Sequence, residues 1–68
     1  MTPWQTVHKK FGLTTAKLAK LLGRDRSKIY RHLKDDEGLI SGPDQKLIIE
    51  KARDIGVEIT PSDLTPVV

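Results

Sequence analysis

The chain has 68 residues, 37% of them hydrophobic, with Trp4, Phe11 and Tyr30 as its only aromatics; this suits one small domain over 1–68 and leaves too little apolar bulk to enclose a large cofactor. It has no cysteine, which excludes disulfides, cysteine-based zinc sites and thiol nucleophiles. The overall charge of +3 is divided by sign: residues 1–34 hold nine basic residues and one acid, Asp25, and residues 35–68 hold three basic residues and eight acids.

Thr2 and Pro3 suit the cap and first position of a helix in which Trp4, Val7 and Phe11 recur at helical spacing before Gly12 stops it. Thr14 caps a second helix ending at Leu22, with Leu18, Ala19 and Leu22 on one face and a possible staple between Leu13 and Leu18. Gly23 makes a turn, and Asp25 caps a third helix over 26–34, whose apolar stripe is only Ile29 and Leu33. The acids of 35–37 with Gly38 read as a solvated loop, since acids oppose the dipole at a helix C-terminus. Ser41 to Asp44 carry capping-box chemistry for a fourth helix that turns Leu47, Ile48, Ala52 and Ile55 inward and closes at Gly56. Residues 57–60 alternate apolar and polar, but no second alternating segment exists to pair with them, so they are expected as an extended linker. A last turn follows the Thr60-Pro61-Ser62-Asp63 cap. The expected fold is all-α: four helices and a C-terminal helical turn.

The longest apolar run is Leu47 to Ile49 and the N-terminus has no apolar core of a signal peptide, so neither membrane nor secretion is expected and the expected compartment is the cytoplasm. A basic half suggests a polyanion, nucleic acid before membrane surface, against the plain alternative of a solvated basic face. His8 and His32 stand alone, without metal-ligand spacing or a nucleophile and acid to match, so structural or surface roles are expected for them. No catalytic constellation, metal or cofactor is expected.

Residues 14–34 have helix-turn-helix spacing. Two helices crossing steeply over a short turn need a small residue at the crossing, here Ala19, and one that tolerates positive φ at the turn, here Gly23. Ile29 and Leu33 would dock the second helix and leave Arg26, Ser27, Tyr30, Arg31 and Lys34 facing out, as the major groove requires.

With Phe11-Gly12 before the motif and Pro61 to Leu64 after it, the chain resembles the phage Cro family of transcriptional repressors over about residues 4–65. Residues 41–64 resemble its all-helical branch. Two positions depart from the family pattern: Arg24 stands where an apolar residue usually follows the turn glycine, and His32 where an apolar or small residue is common. The resemblance implies a repressor of double-stranded operator DNA, working at the nucleoid of a bacterial host. It places Arg26, Ser27, Tyr30 and Arg31 on the base-reading face, and Thr15, Lys17, Lys20, Lys28 and Lys34 at phosphates, with Lys9 and Lys10 nearby. One module buries too little surface for tight specific binding, so a weak or DNA-assisted homodimer is expected, with Gly38-Leu39-Ile40 and Pro66-Val67-Val68 as candidate contacts. No small-molecule substrate is implied. The alternatives are an antitoxin-type DNA-binding regulator with a protein partner, and a protein-interaction module without DNA.

Each residue also has a plainer reading. Arg26 could pair with Asp25 or Asp36, Arg31 with Asp35, and Tyr30 could be a half-buried rim residue. Lys17 and Lys20 could be good helix formers on a solvated face, and Trp4 a core or partner-contact residue.

Overall fold

The computed structural model describes residues 1–65. The fold is all-α: α1 (Pro3–Phe11), α2 (Thr15–Leu22), α3 (Arg26–Lys34) and α4 (Gly42–Ile55) precede a 3-10 turn, Pro61–Leu64, with no strand among the described residues. The candidate contact at residues 66–68 lies outside the described residues.

The helices begin where capping chemistry puts them. Thr2 Oγ1 accepts the Gln5 N–H at 3.2 Å while Gln5 Oε1 accepts the Thr2 N–H at 3.2 Å, closing a capping box on α1. Thr14 Oγ1 accepts the Lys17 N–H at 3.2 Å and Asp25 Oδ1 the Ser27 N–H at 2.8 Å. After α2 the chain reverses through Gly23 at φ +66°, and the Arg24 N–H returns to the Ala19 carbonyl at 2.9 Å. A side chain at that φ would meet its own backbone, which is why glycine stands there.

Every segment contributes to one core. Trp4, Val7 and Phe11 enter from α1, Leu18, Ala19 and Leu22 from α2, Ile29 from α3, Ile40 from the loop, Ile48 and Ala52 from α4, and Leu64 from the last turn. Ala19, 2% exposed, sits on the side of α2 that packs against its neighbours, as expected of a small residue at a crossing. Leu13, Leu21, Leu33, Leu47, Val57 and Ile59 cover its margins. The alternation of residues 57–60 now has its cause. The linker lies along the core with Val57 and Ile59 turned partly in and Glu58 out.

Three expectations are corrected. Ile55 is 46% exposed, because the chain turns back at Gly56 and the Val57 N–H bonds the Ala52 carbonyl at 2.8 Å, so Val57 takes the place at the core margin. Ser41 makes no side-chain capping bond, and the Asp44 carboxylate instead accepts from Arg24 at 3.0 Å. Of the candidate contact Gly38-Leu39-Ile40, only Leu39 is exposed; Gly38 is buried and Ile40 is a core residue.

That loop is seated by Trp4, whose backbone N–H donates to the Gly38 carbonyl at 3.2 Å and whose Nε1–H donates to the Leu39 carbonyl at 3.1 Å. Gly38 has φ +54°, and a Cβ there would overlap the Thr2 side chain. Gly12 also has positive φ, +65°, but a Cβ there meets nothing within 4 Å. Alanine at Gly12 is therefore expected to cost only the left-handed strain, about 1–2 kcal/mol. Gly38→Ala must add displacement of the Thr2 cap, and thermal melts of the two variants should place it clearly below Gly12→Ala.

The last turn is tied to α1. Asp63 Oδ2 accepts the Thr60 N–H at 2.9 Å and Lys10 Nζ at 2.9 Å. The Thr60 amide first, and the Lys10 ammonium second, hold its carboxyl below the ordinary value of 3.8. Because the folded value is depressed, the stabilisation is present above the unfolded pKa and lost as pH falls through the folded one. Asp63→Asn should melt below the unsubstituted protein at neutral pH, and the gap should close in melts run below the ordinary carboxylate range.

Candidate nucleic-acid interface

A helix of nine residues can offer a reading surface only if it docks through few of them. In α3 a single residue, Ile29, is buried, at 1% exposure, and Leu33 is partly buried. Arg26, Ser27, Lys28, Tyr30, Arg31 and Lys34 are all exposed. The helix is fixed at its ends instead. Asp25 caps its start, and near its end Gln5 Nε2 donates to the Leu33 carbonyl at 3.1 Å.

His32, unusual for its place in the motif, stacks on Trp4 with ring centroids 4.9 Å apart and planes at 8°. Its Nε2 is buried without a hydrogen-bond partner among the described residues. Arg24, the other departure, reaches the Asp44 carboxylate of α4 with Nε and Nη2 at 3.3 and 3.0 Å. Both departures are thus cross-braces of the motif.

The structure brings the four base-reading candidates together. Arg26, Ser27, Tyr30 and Arg31 line one open concavity of about 510 Å³, and Thr15 of α2 completes it. Thr15 Oγ1 lies 3.5 Å from His8 Nε2, a pairing whose direction follows the imidazole tautomer. The other phosphate candidates, Lys17 and Lys20 on α2 and Lys28 and Lys34 on α3, are exposed but do not line this concavity. Lys34 Nζ instead stands 4.5 Å from the centroid of the Tyr30 ring. Tyr30 is 52% exposed, with part of its surface covered and part free at the concavity.

Among the described residues no ion pair engages the basic side chains of this face. The ion pairs among the described residues are Lys10–Asp63 and Arg24–Asp44. The pairings open to Arg26 and Arg31 do not form, and the Asp35 carboxylate accepts the backbone N–H groups of Glu37 and Gly38 at 2.9 and 3.4 Å. Lys10, committed to Asp63, is not a free cation beside the motif. A larger hollow of about 690 Å³ is bounded by Thr2, Gln5, Asp36, Glu37 and Leu39 among others. Its charged groups are the Asp36 and Glu37 carboxylates and the Met1 α-ammonium, without the cluster of cations a polyanion needs. Among the described residues no cluster of histidines and acids could hold a metal ion, and no helix is long and apolar enough to cross a membrane.

The sequence reading missed Gln5, His32 and Arg24 as supports of the motif. Only the unusual residue types at positions 24 and 32 signalled two of them. His32→Ala removes the stacked ring and should lower the melting temperature. His32→Phe keeps an aromatic ring and removes the unpartnered nitrogen, so it should match or exceed the unsubstituted protein.

Comparison with family models, with curated proteins and with solved structures finds no match to this chain.

Proposed function

We propose that the protein binds double-stranded operator DNA, with α3 in the major groove, and represses transcription by blocking access of the polymerase. One observation carries the reading: an outward face of α3 bears Arg26, Ser27, Tyr30 and Arg31 around a single concavity, with no acid paired to either arginine among the described residues. A helix of this kind matches the width of the major groove, about 12 Å, and arginine pairs with the O6 and N7 acceptors of guanine through two hydrogen bonds. The exposed Lys17, Lys20 and Lys28 supply sequence-independent attraction to phosphates, and the concavity supplies the choice of sequence.

The dimensions allow two copies on one site. Half-sites one helical turn apart are centred about 34 Å from each other. The Cα trace measures 29 × 25 × 21 Å. Two copies of this size fit on neighbouring half-sites along one face of the duplex, and we propose a weak or DNA-assisted homodimer there.

Arg31→Ala should weaken binding to a selected operator by about 1–3 kcal/mol and affect random DNA much less. Lys17→Ala should weaken both alike and lower the salt slope by about one unit. Titrations of both variants against operator and random DNA at several salt concentrations check this. A uniform loss for Arg31→Ala would place the bases at another face, and salt-insensitive or absent binding by the unsubstituted protein would leave a protein-interaction module.

A further inference from the structure

The concavity on α3 holds one side chain whose chemistry differs from the rest. Arg26, Ser27, Arg31 and Thr15 present hydrogen-bonding groups, and Tyr30 adds to its own hydroxyl the flat apolar surface of a ring. That ring is not loose on the surface. Lys34, one turn further along α3, sets its ammonium 4.5 Å from the ring centroid, an attraction between a cation and the negative face of the π system. The lysine holds the ring from its own side, and half of Tyr30 still stays exposed beside the arginines.

The apolar part of that ring, set among hydrogen-bonding groups, fits an apolar partner among the polar edges of the bases. The base edges of the major groove present donors, acceptors and one apolar group, the C5-methyl of thymine. We propose that Tyr30 is a specificity-determining residue that recognises a thymine through this methyl group. The inference rests on the DNA-binding reading above and adds to it the base that the ring selects. Arg31, adjacent in sequence and lining the same concavity, is then placed to take guanine acceptors at a neighbouring pair. Lys34 adds to the phosphate role expected for it a second one, positioning the ring.

The test uses the full chain and an operator selected by it from a random pool. Each thymine is replaced in turn by deoxyuridine, which removes the methyl and leaves every hydrogen-bonding group. One position per half-site should lose about fourfold in affinity, the value of about 0.8 kcal/mol for one buried carbon, while other thymines change by less than about twofold. Tyr30→Phe should keep this preference for thymine over uracil. Tyr30→Ala, at an exposed helical position where alanine is well tolerated, should bind the operator more weakly and lose the preference. Thermal melts establish that both variants fold. An operator insensitive to deoxyuridine at every position overturns the inference. So does an unchanged thymine preference in Tyr30→Ala, which would assign the methyl to another side chain. In both cases the DNA-binding reading survives if Arg31→Ala still relaxes specificity. A pool that yields no preferred sequence overturns that reading and this inference together.

Discussion

Trp4 is fully buried near the start of the chain, and its indole makes contacts in two directions that the remaining structure builds on. One face stacks on His32, near the C-terminal end of α3. Its N–H holds the Leu39 carbonyl, and its own backbone amide holds the Gly38 carbonyl. The first helix therefore fixes both the last turn of α3 and the loop that leads away from it. A large aromatic with a polar edge suits that position, since the ring is buried while the N–H still finds an acceptor. Gln5, beside it in sequence, repeats the arrangement by closing its own helix cap and bonding the Leu33 carbonyl.

Support of this kind at the ends of α3 makes its exposure affordable. A helix with one buried side chain gains little from the hydrophobic effect, roughly 1.5–3 kcal/mol for a fully buried residue such as Ile29. The cap at Asp25, the stack on Trp4 and the bond from Gln5 supply orientation that a wider apolar stripe would otherwise have to give. The outward residues are thereby released from packing. The Arg24–Asp44 pair serves the same end across the turn, joining the start of α4 to the motif. An exposed pair of this kind contributes at most about 1 kcal/mol, so its value lies in geometry more than in stability.

The sequence made the helices legible because their boundaries are local chemistry. Thr2, Thr14 and Asp25 each accept from their own first turn, and Gly12, Gly23 and Gly56 each end a helix in the left-handed region. The outward face of α3 was legible for the same reason, since Ile29 and Leu33 fix which side must face inward. What could not be read locally was contact between distant segments. Periodicity put Ile55 on the inner face, but the return of the chain at Gly56 left it outside. Ser41 and Asp44 had the chemistry of a capping box, yet Arg24, twenty residues earlier, draws the Asp44 carboxylate away. Ile40 had no helical neighbour to give it a phase, and it is placed by contacts from other elements, the Trp4 indole on the Leu39 carbonyl and the Gln45 side chain on its own.

The 3-10 turn has a consequence for the order in which the molecule takes shape. Leu64 is a core residue at 3% exposure, and Asp63 beside it grips Lys10 of α1 across 53 positions. A nascent chain emerges N-terminus first, so α1 leaves the ribosome long before its last core neighbour does. Trp4, Val7 and Phe11 then present an apolar stripe with part of its cover not yet emerged. Contacts of such sequence separation are late to form, because loop closure must precede any gain from burial. The core over α1 therefore cannot be complete until Leu64 itself has left the ribosome.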